Sequence, residues 1–206
     1  MSQNSGRIID ISPAELESAT TVLARAFHED PLLSYVMREH NGEDDARVRK
    51  FFSFTCQIRL TLGWPLFGVA DRGELQAVMA LTPPGVDEWA PSLVESYQEL
   101  QQIMGPEAVV RFAPYGEWVE AQRPKDPNYY LGIIGTSTGA QGKGYGRMLL
   151  DRLHELSEGD SLSRGVGLDT DSEENISLYQ HFGYAIIDHM VLDDLHTWVM
   201  FRPNPT

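Results

Sequence analysis

The chain has 206 residues, with 30 Asp and Glu against 16 Lys and Arg, a formal net charge of −14 and a sequence pI near 4.7. That balance argues against a nucleic-acid or acidic-lipid partner, both of which need a basic surface. Cys56 stands alone, so no internal disulfide is available, and the six histidines show no metal-ligand spacing. The N-terminal residues are polar and no run approaches the roughly 18 apolar residues of a membrane span, so a cytoplasmic protein of one domain, residues 1–206, is expected.

Arg7 to Ile11 reads as a first strand. Ser12-Pro13 opens a helix bearing Leu16, Ala19, Leu23 and Phe27, with Ser12 as N-cap and Pro13 in the first helical position. His28-Glu-Asp-Pro31 breaks it, and Leu32 to Met37 makes a short second helix. A longer helix beginning at Asp44 or Asp45 carries Val48, Phe51, Phe52, Thr55, Ile58 and Leu62 as an apolar stripe, and Cys56 within it reads as a buried small residue. Leu66–Ala70 and Leu75–Leu81 form a hairpin around Asp71-Arg-Gly-Glu74, stopped by Pro83-Pro84-Gly85. A helix with Leu93, Tyr97, Leu100 and Met104 follows, then Gly105-Pro106 and a further helix through Trp118 to Gln122. Together these make a helix-rich insertion at about 86–123.

Tyr129 to Thr136 is a near-continuous apolar strand. Gly132 inside it marks a bulge or a close approach by another chain or ligand. After the strand Gly142, Gly144 and Gly146 alternate. They lead into a helix whose Met148, Leu149, Leu150, Leu153 and Leu156 share a face. The first N–H groups of such a helix have no internal partner and carry the positive end of its dipole, so an anion suits them. Lys143 and Arg147 add positive charge. A Walker A loop is excluded because Ser137 stands where its first glycine belongs and Gly144 follows Lys143; the spacing also fails G-x-G-x-x-G. Arg164–Thr170 is the next strand, Glu173–Phe182 a short helix with Gly183 as its C-terminal cap, and Tyr184–Leu192 with Thr197–Arg202 a closing antiparallel pair. Strands with helices on both faces predict an α/β or α+β architecture built on a mixed, mainly antiparallel sheet of six or seven strands.

Gln141-Gly-Lys-Gly-Tyr-Gly146 resembles the Q/R-x-x-G-x-G/A signature of the GCN5-related N-acetyltransferase (GNAT) superfamily. Asn175-Ile-Ser-Leu-Tyr-Gln-His-Phe-Gly-Tyr184 is similar to its N-x-x-x-Y-x-x-x-G-F segment. The resemblance departs where Ser137 and Thr138 stand in place of the acidic residue and proline the family often carries. More weakly, His28-Glu-Asp-Pro-Leu32 and Pro127-Asn-Tyr-Tyr-Leu131 resemble the branch that includes puromycin-type acetyltransferases.

The resemblance implies a GNAT-like fold and acetyl-CoA as the acetyl-donating cosubstrate. Its pyrophosphate would lie on the backbone of Gln141, Gly142, Lys143, Gly144, Tyr145, Gly146 and Arg147. Its pantetheine arm would lie along Ile134, Gly135 and Thr136, with a backbone N–H near Ile134 toward the thioester oxygen, and Asn175 would orient the arm. Gly135 would leave that arm unobstructed. Tyr179 matches the family tyrosine that protonates the departing thiolate. The attacking amine, with an ordinary pKa of about 10.4, must lose a proton; Asp169 at its strand end is the candidate base, with a water-mediated route as an alternative. Glu29 and Asp30 are further candidates for the acceptor pocket, and Tyr115, Trp118 and Tyr129 for an aromatic wall; Glu117 and Glu120 read equally as a solvated helix face. The expected activity is N-acetylation of a small-molecule primary amine by a monomer or homodimer. The alternatives are a catalytically silent coenzyme-A-binding module, and an acyltransferase using another donor or a protein amine.

Overall fold

The computed structural model describes residues 6–38, 46–85 and 91–205. Seven strands form one sheet in the order β1-β2-β3-β4-β5-β7-β6: β1 (Arg7–Asp10), β2 (Leu66–Asp71), β3 (Glu74–Thr82), β4 (Tyr129–Thr136), β5 (Gly165–Thr170), β6 (Ala185–Leu192) and β7 (Leu195–Pro203). The pairing is antiparallel throughout except between β4 and β5, which run parallel. The helices are α1 (Leu16–Ala26), α2 (Pro31–Met37), α3 (Ala46–Leu62), α4 (Pro91–Met104), α5 (Pro106–Gln122), α6 (Tyr145–Gly159) and α7 (Glu173–His181). The mixed, mainly antiparallel sheet flanked by helices is the expected architecture.

Local chemistry accounts for most boundaries. Ser12 accepts from the Ala14 N–H at 3.2 Å while its own N–H donates to Glu15 at 2.9 Å, a capping box that opens a 3-10 turn ahead of α1. Pro31 does more than break a helix: Asp30 caps α2 by accepting from the Leu33 N–H at 2.9 Å, and Pro31 takes the first helical position. The expected start of α3 at Asp44 or Asp45 lies outside the described residues, as does Val86 at the start of the expected insertion. The β2–β3 hairpin turns on Arg72 and Gly73, at φ of 53° and 85°, the two positive angles a tight two-residue turn requires. β7 begins two residues earlier than expected, because Leu195 pairs with Leu192 across the Asp193–Asp194 turn. At the end of α7, Gly183 adopts φ 89° and donates to Gln180 O, while the Tyr184 N–H reaches Tyr179 O.

Strand alternation feeds two cores, one on each face of the sheet. On β3, Val78 and Ala80 join α1, α2, α3 and α4, whereas Ala77, Met79 and Leu81 join Leu149, Leu150 and Leu153 of α6. Ile133 and Ile134 of β4 divide the same way, so their side chains are packing residues. Cys56 is fully buried, and burial pushes its thiol up to about 11, far from a reactive thiolate.

Candidate active site

The glycine turn begins where β4 leaves the sheet. A short 3-10 turn (Thr138–Ala140) is followed by Gly142 at φ 75° and Gly144 at φ 83°, a left-handed conformation that disfavours any residue with a Cβ. Gly144 is the N-cap of α6; it offers no side chain and accepts from the Met148 N–H at 3.1 Å. α6 therefore opens without a side-chain cap, and the turn has open space at Gly142. Gln141, Lys143 and Arg147 are exposed there. Tyr145 is different: its ring is buried and its hydroxyl donates to Asp71 at 2.8 Å, tying the turn to the β2–β3 hairpin. Only its main chain remains available to a ligand. The Arg147 guanidinium stacks 5.3 Å from the Phe182 ring centre and lies 3.4 Å from His181 Nε2, bridging α6 to the end of α7. A groove of about 1050 Å³ runs from this turn between α1 and the hairpin, with Arg25, Arg72 and Lys143 along it beside Glu17 and Glu74.

The parallel pair β4–β5 is joined only at Tyr129–Val166, Tyr130–Gly167 and Leu131–Leu168. Beyond Leu131 the strands separate, so the β5-facing backbone groups of residues 132–136 have no strand partner while β3 still pairs along the other edge. The register with β3 shifts between Ala80 and Leu81, which leaves Gly132 as the extra residue of a bulge. A Cβ on Gly132 would lie 2.9 Å from Arg59 Nη2, so the glycine makes room for a guanidinium. Gly135 corrects an expectation. Its missing Cβ accommodates α1, where Ala26, Phe27 and Leu23 would stand 2.8, 3.0 and 3.1 Å away, rather than clearing a path for a ligand. Thr136 is half-buried, its hydroxyl 3.8 Å from where a Cβ on Gly146 would sit.

The opening between the strands leads into a cleft of about 310 Å³ bounded by α3, α5, β4, β5 and α7. Tyr179 lines it with 7% of its surface exposed, stacked edge-on against Tyr184 at 5.6 Å. Its hydroxyl has no hydrogen-bond partner among the described residues, and burial, reinforced by the charge of Asp169, pushes its pKa well above that of an ordinary phenol. Asn175, exposed in the first turn of α7, lines the same cleft. Asp169 lines it as well. Tyr115 donates to its Oδ2 and Tyr130 to its Oδ1, each at 2.6 Å. Two residues on, Asp171 accepts from the Thr197 hydroxyl at 2.5 Å, and burial together with the neighbouring Asp169 charge raises it to about 8.

Ile134, Asp169, Asn175 and Tyr179 thus meet at one cleft, with the glycine turn at the far end of the same strand. Other candidates separate. Tyr129 points to the opposite face and donates to Asp160 at 3.2 Å; its neighbour Tyr130 forms the wall instead, and Trp118 packs half-buried behind it. Asp30 and Glu120 line the cleft, whereas Glu29 pairs with His28 at the surface and Glu117 is solvated. Asp171, Tyr130, Arg59 and Arg123 were not expected there. The spacing of Asp169 and Asp171, two apart at a strand end, is the sequence signal that puts both carboxylates on one side.

The model of the Acetyltransferase (GNAT) family matches residues 94–184. An uncharacterized N-acetyltransferase of Schizosaccharomyces pombe is 22% identical over 187 residues, 85% of this chain and 72% of that protein. Among solved structures, one from Corynebacterium glutamicum, described as histone acetyltransferase HPA2 and related acetyltransferase, superposes with a TM-score of 0.71 at 23% identity over 98% of both chains. Arylalkylamine N-acetyltransferase 2 of Aedes aegypti superposes at 0.67 with 13% identity, over 97% of this chain and 99% of its own. The family match runs through both the glycine turn and the Tyr179 helix, and the fold is shared end to end with solved acetyltransferases.

Proposed function

We propose that this chain, as one domain, transfers an acetyl group from acetyl-CoA to the primary amine of a small molecule by direct attack on the thioester. The observation that carries the reading is the parting of β4 from β5 next to Tyr179, with an uncapped helix start at the end of the same strand. The superfamily uses acetyl-CoA, which supplies an acyl group on a good leaving sulfur. Its diphosphate fits the main-chain donors of 141–147, where positive φ at Gly142 and Gly144 and a bare helix terminus suit an anion. The unpaired edge of β4 at Ile134, Gly135 and Thr136 suits the extended pantetheine arm, and Asn175 flanks it.

Tyr179 acts as the acid. A phenol with a raised pKa stays protonated at neutral pH and can give its proton to sulfur as the C–S bond breaks and the C–N bond forms. Asp169, with Asp171 beside it, receives the proton that the ammonium must lose first. Of the two protons the ammonium sheds, one leaves to solvent through these carboxylates and the other replaces the one Tyr179 donates. A cleft of about 310 Å³ supports a small acceptor over a protein chain. The lone buried Cys56 suits a cytoplasmic enzyme, and among the described residues no helix is long and apolar enough to cross a membrane. The likeness of His28–Leu32 and Pro127–Leu131 to the puromycin-type branch gains support from Asp30 and Tyr130 lining the cleft.

Thiol release from acetyl-CoA in the presence of a panel of small amines and peptides tests the reading. Turnover with small amines is the expected result; binding of acetyl-CoA without turnover, or turnover with peptides alone, would overturn it. In the same assay Tyr179→Phe lowers kcat tenfold or more while acetyl-CoA affinity, measured by calorimetry, stays within about twofold.

A further inference from the structure

The acceptor cleft holds a second kind of charge. Arg59, on α3, enters it over the Gly132 bulge. Its Nη1 donates to the Thr55 carbonyl at 3.2 Å, its Nε is buried with no partner, and among the described residues it meets no carboxylate. Burial without a counter-charge lowers this guanidinium to about 10, and the nearby Arg123 adds to the effect. Arg123, at the end of α5, also lines the cleft. Its guanidinium lies 3.8 Å over the Tyr130 ring, its Nη1 pairs with the surface carboxylate of Glu120 at 2.9 Å, and its Nε is buried without a partner. Two guanidiniums, each with an unused buried donor, are costly to leave facing an apolar wall. A planar oxyacid is their natural complement.

Tyr130 joins this cationic end to the acidic one. Arg123 covers its ring, and its hydroxyl donates to Asp169. Asp171 and Asp30 stand on the acidic side, while Phe27, Phe52 and Phe112 supply apolar walls between. We propose that the acceptor is an amino carboxylate: its ammonium lies at Asp169 and Asp171, its carboxylate at Arg59 and Arg123, and its apolar body against the phenylalanines. This rests on the acetyltransferase reading above and narrows it, since an amine without an acidic group would leave Arg59 without a counter-charge and the buried Nε donors of both arginines unused.

The test compares matched acceptors in the thiol-release assay: α-, β- and γ-amino acids, phenylalanine and leucine among them, each against the amine in which hydrogen replaces the carboxylate. The expected result is a kcat/KM at least tenfold higher for a carboxylate-bearing member than for its partner. Decarboxylated amines that match or exceed every amino acid would overturn the proposal while leaving the acetyltransferase reading intact; silence from every amine would sink both. Arg59→Gln and Arg123→Gln should each raise KM for the preferred amino acid, with a loss on that substrate at least tenfold greater than on its decarboxylated partner. Arg59→Lys should restore part of it. Equal losses on both acceptors would mark the arginines as structural and count against the proposal.

Discussion

At the level of single residues the site is set by what surrounds each carboxylate. Asp169 is held by two phenols and Asp171 by one threonine, and the second, pressed by burial and by the first, titrates near 8. In the unfolded chain Asp171 ionises near the ordinary value of about 3.9. Between these values the folded protein keeps a proton that the unfolded chain has lost, so stability falls as pH rises through that window. Asp171→Asn removes the effect, and its melting temperature relative to the parent should rise from pH 5 to pH 9; an advantage of the same size at both would contradict the assignment. With these carboxylates as the proposed proton acceptor, the activity carries the opposite sign, because a proton acceptor works only when ionised. The parent's kcat/KM should climb with an apparent pKa near 8, and Asp171→Asn should lose that limb. Tyr179 and the glycines were legible from sequence because each sits in a motif with fixed spacing. Arg59, Arg123 and Tyr130 were not, because they come from three separate elements and only the bulge at Gly132 and the crossing of α5 bring them together.

The elements themselves were legible where punctuation is strong. Ser12-Pro13, Gly105-Pro106 and Gly183 mark the helix ends they were expected to mark, since capping and proline geometry act locally. The parting of β4 from β5 is nonlocal; nothing in the composition of either strand records it. Gly144 links the two levels. Asp tolerates left-handed φ better than most residues and is a favoured N-cap, so Gly144→Asp should fold with a stability change within about 1 kcal/mol. Its carboxylate would occupy the place proposed for the diphosphate at the start of α6. Acetyl-CoA affinity should therefore fall tenfold or more in calorimetry while the melting temperature is nearly kept, and normal affinity would move the diphosphate elsewhere. Gly135 behaves otherwise: even Gly135→Ala drives a methyl into Ala26 and Phe27, so the loss should appear in stability.

Across the whole molecule, a net charge of −14 opposes the approach of an anionic cosubstrate, and the cations Arg25, Arg72 and Lys143 offset it only along the groove. Salt screens the long-range repulsion over about 10 Å at 0.1 M, while contacts inside the turn are less affected. Raising ionic strength from about 10 mM to about 150 mM should therefore increase kcat/KM for acetyl-CoA by roughly two- to threefold, the reverse of what a basic acetyltransferase would show. The acceptor separates the charge models further. A monocationic amine is drawn to the acidic surface, so its KM should rise as salt is added. A zwitterionic amino carboxylate carries no net charge, and its KM should stay within about twofold over the same range. A fall in kcat/KM for acetyl-CoA with added salt would mean that the local cations of the groove outweigh the global field, and would relocate the electrostatic control of binding from the molecule to the turn.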